Sequence, residues 1–307
     1  MPPLPQTKFF HSKALMQIYE LTARHKPYVV VARNEQGLVL AHLMAVVRNG
    51  KCRIFGEGEY NEQLISSIPE TTEDIFASML AALEKKVRHR TLYVEVSDLN
   101  RKMFAYRQFK DCGFFPIHWL QVRNSLHSRH PKERLSRKII RRIAYARKMG
   151  VTTTIVSDEQ QLSSFYTTIR TYYNFHLRKF CPEKNFFRQL MLSGNATLYL
   201  SFYKEKTVAA CAVAYSDGNA YLWFGAYKNK SHPRLSPAII TIWNILCHCH
   251  SQGTQHFCFM DVGLPFIRNA YYDSILDFGG KSIGTYRWFR FHNPLLHALI
   301  RHLFSAH

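Results

Sequence analysis

Three things are scarce in this chain of 307 residues, and each scarcity removes a class of protein. Acidic side chains come first: 21 Asp and Glu stand against 41 Lys and Arg, a formal charge of +20. That excess excludes an acidic, cation-collecting surface and favours anionic partners such as phosphates, nucleic acid or a lipid surface. Long apolar runs come second. No window approaches the roughly eighteen unbroken apolar residues of a membrane span, and the opening MPPLPQTKFFHSK lacks the apolar core of a signal peptide, so a cytoplasmic protein is expected. Paired cysteines come third. The seven present are odd in number and scattered, which suits a reducing compartment and gives no disulfide framework. The run Cys247-His248-Cys249-His250 suggests a metal cluster, but successive residues of a helix point about 100° apart and cannot close round one ion, so no metal is expected. What the chain has in plenty is apolar residues, 47% of the total, enough for packed cores in two domains of ordinary size.

One unit occurs twice. A shift of 166 residues lays Glu95 under Asp261, Tyr106 under Tyr272, Asp111 under Asp277 and Gly113 under Gly279, without a gap. Upstream the shift becomes 169, and residues 38–56 match residues 207–225, each pair of apolar strands turning at Asn49-Gly50 or Asp217-Gly218. Such dipeptides are strong hairpin signals, and a repeat in matching order points to duplication. Around them the periodicity predicts a helix over 11–25, strands over 28–33, 38–47 and 51–56, a helix from the capping pattern Thr71-x-x-Asp74, a strand over 92–96, a helix over 101–111 and a strand over 118–122. The second copy is expected to repeat this order after a capping box at Ser157-x-x-Gln160, with a short helix opened by Pro182.

Three stretches stand out for their charge. Residues 131–150 place Leu135, Ile139, Ile143, Ala146 and Met149 on one helical stripe, surrounded by eight Lys and Arg, among them Arg137 and Arg141, against Glu133 alone. Such a helix is either a solvated connector or a phosphate-facing surface. Residues 226–237 form a loop with Lys228, Lys230 and Arg234 that runs into a helix with Ser236 as its cap and Pro237 at its first position. Free N–H groups at a helix start favour anions, so these residues are candidates to hold the phosphates of a cofactor. The last stretch, HNPLLHALIRHLFSAH, is a basic amphipathic helix that either docks on its own domain or lies on a membrane surface.

The element order, repeated twice, resembles the tandem GNAT (acyl-CoA N-acyltransferase) fold of the Fem-type peptidyltransferases and their acyltransferase relatives, in the short form without a helical arm. The resemblance spans nearly the whole chain. It is carried by KIIRRIAYARKMGV, by FYTTIRTYY with Cys181-Pro182 and Phe186-Phe187, by LWFGAY followed by LSPAIITIWNIL, and by DVG with DFGG. It implies an α+β fold of mixed sheet: a GNAT-like domain over 1–128, a basic connecting helix over 129–150, and a second GNAT-like domain over 151–307 holding the catalytic cleft. It also implies transfer of an acyl or aminoacyl group to an amine, with the donor where strands 220–225 and 256–262 splay apart and backbone N–H groups meeting the developing oxyanion.

Both acyl-CoA and aminoacyl-tRNA stay open as donor, because the loop 226–237 contains none of the glycines that usually hold a coenzyme A pyrophosphate. The implied acceptor is a phosphate-bearing cell-envelope precursor, small or lipid-linked, with tRNA and the inner membrane face as further partners. Asp261 ends a core strand and either takes the amine proton or caps the next helix, as Glu95 does in the first copy. Arg268 and Asn269 are candidates to hold the acceptor, Tyr272 to protonate the leaving group, and Lys281 to stand for the lysine that Fem ligases often carry before their final FG, where this chain has Ile275 and Leu276. Two alternatives remain: an acyl-CoA-dependent N-acyltransferase for a sugar or lipid amine, and a non-catalytic tandem GNAT protein that binds an anionic ligand.

Overall fold

A computed structural model describes residues 8–174, 180–267 and 270–305. The chain forms two compact units. One comprises Met1–Trp119, Leu264–Phe266 and Gly284–His307, the other Leu120–Gly263 and Ile267–Ile283.

In the first unit, α1 (Lys13–Glu20) starts where Ser12 Oγ accepts from the Leu15 N–H. Strands β1 (Lys26–Arg33), β2 (Val39–Arg48) and β3 (Lys51–Phe55) make the expected antiparallel meander, with Asn49 and Gly50 both at the positive φ their hairpin turn needs. A short β4 (Glu59–Tyr60) pairs with β2, and α2 (Glu62–Ile65) is a single turn. The capping box at Thr71 and Asp74 forms as predicted and opens α3 (Thr72–Val87). Strand β5 (Tyr93–Ser97) then lies parallel to β3. The helix expected over 101–111 is reduced to α4 (Tyr106–Asp111), because Ala105 takes the left-handed conformation, φ 48°, which ends helix propagation upstream. Strand β6 (Phe115–Ser125) follows; its first residues belong to this unit and its last to the other. Phe76, Phe104, Phe109 and Trp288 are fully buried together, Phe109 stacked on Trp288 at 4.5 Å.

In the second unit the basic stretch is not one helix. A 3-10 turn, Pro131–Arg134, is separated from α5 (Arg137–Lys148) by extended Leu135 and Ser136, and this lets Ser136 Oγ accept from the Ile139 N–H. Ile139, Ile143 and Ala146 are buried as the stripe predicts, whereas Met149 is exposed. After β7 (Thr152–Ile155) the cap falls one residue later than expected: Asp158 Oδ1 accepts from the Gln161 N–H at 2.7 Å and opens α6 (Glu159–Asn174), while the Gln161 side chain takes the Ser157 N–H. Next come α7 (Lys184–Leu192), beginning two residues beyond Pro182, and the second meander of β8 (Ala196–Tyr203), β9 (Lys206–Ser216) and β10 (Asn219–Tyr227).

Helix α8 (Pro237–Ser251), apolar on most of its circumference, is correspondingly buried. Its Cys-His run points to separate places: the His248 Nδ1 meets the Tyr199 hydroxyl, Cys249 is buried, and the His250 Nδ1–H donates to the Leu126 carbonyl. Strand β11 (His256–Gly263) lies parallel to β10, and α9 (Ala270–Leu276), β12 (Lys281–Phe291) and α10 (Pro294–Ser305) complete the chain. The end of β12 pairs with β5, Trp288 opposite Val96 and Phe291 opposite Tyr93. Residues 284–307, which the sequence reading groups with the second module, are thus compact with the first unit, where Trp288 finds its apolar surroundings.

Strand order is β1-β2-β3-β5-β12 in the first unit and β6-β11-β10-β9-β8-β7 in the second. Each contains three antiparallel strands, a crossover helix and a parallel strand. Glu95 and Asp261 accordingly lie in equivalent strands, β5 and β11, as the duplication requires.

Candidate active site

In the second unit β10 and β11 pair only from Asn219 opposite His256 to Leu222 opposite Phe259, although β10 runs on to Tyr227 and β11 to Gly263. Both strands are bulged where they part. On β10, Leu222 faces Val213 and Phe224 faces Ala212, so Trp223 has no counterpart on β9. On β11, Phe259 faces Val122 and Gly263 faces Leu120, so residues 260–262 stand opposite Gln121 alone. A bulge bends its strand and re-aims the side chains within it. Asp261 sits in the middle of the second bulge, exposed, at φ 60°. That conformation costs a non-glycine residue roughly 1–3 kcal/mol, and it turns the carboxylate out of the strand.

Behind the parting lies a cluster of phenols. A Cβ on Gly225 would come within 2.7 Å of the Tyr227 Oη, so the absence of a side chain there lets the Tyr227 ring fold back along its own strand. The Tyr227 oxygen accepts from the Cys211 thiol at 3.4 Å. Tyr173 of α6 brings its phenol oxygen to the Gly225 backbone N–H and its ring against Phe224, centroids 6.1 Å apart. Tyr271 of α9 completes the group. Burial raises all three phenols above their ordinary range; for Tyr271 the neighbouring Cys211 and Tyr173 add to this, and then the Asp261 carboxylate. Burial also pushes the Cys211 thiol up to about 12. These groups stay neutral and are proton donors, while the exposed carboxylate at the rim is a proton acceptor. Two environments thus separate acid from base.

The residues singled out from the sequence fall unevenly around this centre. Asp261 is at it. Tyr272 and its neighbour Tyr271 both pack half-buried against the apolar core, and burial, with the Asp261 carboxylate contributing, raises the Tyr271 phenol. Arg268 and Asn269 lie outside the described residues. Lys281 is exposed at the first position of β12. The glycines before it are explained by packing: a Cβ on Gly279 would come within 2.5 Å of Arg134 Cβ, and one on Gly280 would collide with Asn124 and Val122. Arg137 and Arg141 are exposed on α5 and, among the described residues, form no ion pair. Tyr173, Tyr227 and Cys211 were not among the site residues read from the sequence, although Tyr173 and Tyr227 end two of the stretches that carry the resemblance, FYTTIRTYY and LWFGAY. The available signal was positional, since the shift of 169 that equates Gly225 with Gly56 sets Tyr227 on Gly58.

Lys228, Lys230 and Arg234 are exposed, as a phosphate-gathering loop would have them, but the helix start beside them is already filled. Ser236 does not cap. It takes φ 47°, and its hydroxyl points back to the Pro233 carbonyl. Pro237 has no N–H, Ala238 N–H donates to Asn229 Oδ1 at 3.1 Å, and the Ile239 and Ile240 N–H groups share the Ser236 carbonyl. As they stand, these residues do not fit a pyrophosphate held on the end of α8.

Residues 133–271, nearly the extent of the second unit, match the family model of the acetyltransferase (GNAT) domain. That stretch, rather than the whole chain, is what the match assigns to a GNAT domain. It supports a transferase of acyl groups, and acyl-CoA is the donor that a GNAT domain implies in general. Among solved structures the chain is similar to FemX, at 10% identity over 97% of this chain and 95% of that one, TM-score 0.62. The C-terminal domain of a putative lysylphosphatidylglycerol synthetase from Agrobacterium fabrum matches at 11% identity over 97% and 94%, TM-score 0.63. A tandem GNAT protein from the clavulanic acid biosynthesis pathway matches at 9% over 89% and 85%, TM-score 0.56. At such identities the likeness is one of fold, and it supports a two-domain GNAT-like architecture of Fem-like type. No curated protein matches the chain by sequence.

Proposed function

We propose that this protein transfers an activated acyl or aminoacyl group to the amine of a phosphate-bearing acceptor, with the transfer at the parting of β10 and β11. The observation that carries this reading is the strained Asp261 in the β11 bulge, set against neutral tyrosines that are at least half-buried. In the reaction the amine nitrogen attacks the acyl carbon, a C–N bond forms, and the bond from that carbon to the leaving oxygen or sulfur breaks. Asp261 takes the proton shed by the nitrogen. The Gly225 N–H, exchanging its contact with Tyr173, serves the developing oxyanion, and a half-buried phenol, Tyr227 or Tyr271, supplies the leaving group's proton.

An aminoacyl ester of tRNA suits this chain better than coenzyme A, because the α8 start is filled by Asn229 and Ser236 while α5 and the loop at Lys228, Lys230 and Arg234 present cations suited to a polyanion. An acyl-CoA donor is the second reading, favoured by the general habit of the GNAT domain. A lipid-linked acceptor is supported by α10, whose Leu295 is 82% exposed and whose Leu299 and Leu303 are each 55% exposed, and by the neighbour named for making lysylphosphatidylglycerol. The site for this reading is a membrane surface facing the cytoplasm. Radiolabelled aminoacyl-tRNA and acetyl-CoA, each offered with vesicles containing an amino-phospholipid, test both donors. Transfer from one of them, reduced about a hundredfold or more in Asp261→Asn with unchanged unfolding, is expected. Equal turnover by Asp261→Asn would remove the carboxylate from the mechanism, and transfer from neither donor would leave the proposal without a reaction.

A further inference from the structure

The geometry points to a binding site in the first unit for a phosphate that carries a hydroxyl proton, inorganic hydrogen phosphate or a phosphate monoester, between the end of α3 and the start of α10. It is separate from the transfer site and does not depend on the reading given for it. A cavity of about 240 Å³ is lined there by Glu84, Arg88, Arg290, His292 and His297.

The Thr91 hydroxyl lies 3.0 Å from the Val87 carbonyl and 2.8 Å from His292 Nε2, and the proposed site takes the tautomer in which the hydroxyl donates to the carbonyl while its oxygen accepts from the His292 Nε2–H. His292 Nδ1 is then a bare acceptor. It faces Glu84 Oε1 at 3.5 Å, and Arg290 Nη2 approaches the same oxygen at 3.5 Å, distances at the outer edge of hydrogen bonding. Both atoms are buried and lack a hydrogen-bond partner, and the His292 side chain is only 9% exposed. His297 is fixed the other way: its Nδ1 accepts the Phe291 N–H at 3.2 Å, which leaves its proton on Nε2 as a donor. Burial lowers the proton affinity of both imidazoles and keeps them neutral.

A ligand for this cavity therefore needs acceptor oxygens for Arg88, Arg290 and His297, and one acidic hydroxyl for the two facing acceptors. Unpartnered buried acceptors are costly, so a ligand that supplies their missing proton is selected over one that does not. Hydrogen phosphate and phosphate monoesters offer both kinds of group. Sulfate and carboxylates offer acceptors only.

Calorimetric titration of the full chain with inorganic phosphate and with sulfate at neutral pH, alongside ¹⁵N histidine spectra, tests this. Phosphate is expected to bind about tenfold or more tightly than sulfate and to move the His292 and His297 signals. Arg88→Gln, on an exposed side chain that does not hold the fold, is expected to weaken phosphate about tenfold. Co-sedimentation with phosphatidic acid vesicles, with phosphatidylcholine as control, distinguishes a lipid headgroup from a soluble phosphate; binding in either arm that Arg88→Gln weakens supports the site. Sulfate binding as tightly as phosphate, an unmoved His292, or a free protein in which His292 Nδ1 is already protonated would each overturn it.

Discussion

The same parallel strand pair is built twice, and the two copies end differently. In the first unit β3 and β5 stay paired to their last residues, Phe55 opposite Ser97, and the Gly56 N–H continues the seam to the Ser97 carbonyl at 2.7 Å. Glu95, buried in that seam, is held by Arg53 at 3.0 Å and Arg287 at 3.4 Å. In the second unit the pairing stops at Leu222 and Phe259, both strands bulge, and the residue equivalent to Glu95 is swung out to solvent as Asp261. The counterpart of Tyr227 is Gly58, where a Cβ would lie 2.9 Å from the His42 carbonyl and no side chain fits. One copy closes the seam and the other opens it around a set of phenols. The lesson is that the shared topology supplies a frame, and local bulges decide which copy has room for a reaction.

Glu95→Gln breaks this comparison most strongly. The sequence suggested that Glu95 caps a helix, which would make its loss mild, but the structure places it between two arginines with its side chain 4% exposed. Removing one partner of a buried ion pair costs about 3–5 kcal/mol, so urea denaturation should show a large loss with transfer per folded molecule unchanged. The matching Asp261→Asn should instead change stability by about 0.5 kcal/mol or less, since that group is exposed. A mild Glu95→Gln would mean that the first seam is not held as drawn.

A smaller effect separates the two aligned glycines. Gly56 is required by its backbone, φ +75°, with nothing nearer than 3.8 Å to an added Cβ, whereas Gly225 is required by space under Tyr227. Gly225→Ala should cost about 1–3 kcal/mol by overpacking and should impair transfer. Adding Tyr227→Ala should then recover part of the loss specific to Gly225→Ala, measured as a double-mutant cycle. Gly56→Ala has no such crowded neighbour to trim. If the cycle at 225 and 227 is additive, the ring does not lie where the strand places it.

Much of the fold was legible because it is written in local signals. Asn49-Gly50 and Asp217-Gly218 set the hairpins, Thr71-x-x-Asp74 set α3, and the shift of 166 equated Gly113 with Gly279, both of which take positive φ just after a short helix. Signals that depend on a more distant partner are not legible in this way. Ser236 reads as the cap of α8, yet the cap comes from Asn229, and Gly279-Gly280 is dictated by Arg134, Asn124 and Val122, far away along the chain. The site was legible only at Asp261, because a strand-ending carboxylate is visible in sequence, whereas the register shifts that open the cleft depend on β9 and β6. Nor does composition reveal which tyrosines enter it.

The smallest effect concerns the helices that lead into the two seams, and it bears on the donor. Thr71 caps α3 through a reciprocal box, so Thr71→Ala should cost about 1 kcal/mol. Ser236 stands at the equivalent start of α8 but makes no side-chain cap, and Ser236→Ala should change stability by about 0.5 kcal/mol or less. The capping is done from a distance by Asn229, whose Oδ1 takes the Ala238 N–H where a phosphate oxygen would otherwise sit. Asn229→Ala should therefore cost about 1 kcal/mol and, by freeing that N–H beside Lys228, Lys230 and Arg234, increase the affinity for coenzyme A in calorimetric titration. An unchanged affinity would show that the three cations serve a longer anion that passes the helix end by, as the acceptor stem of a tRNA would. An increased one would mean that Asn229 is what turns this copy of the fold away from the usual GNAT donor.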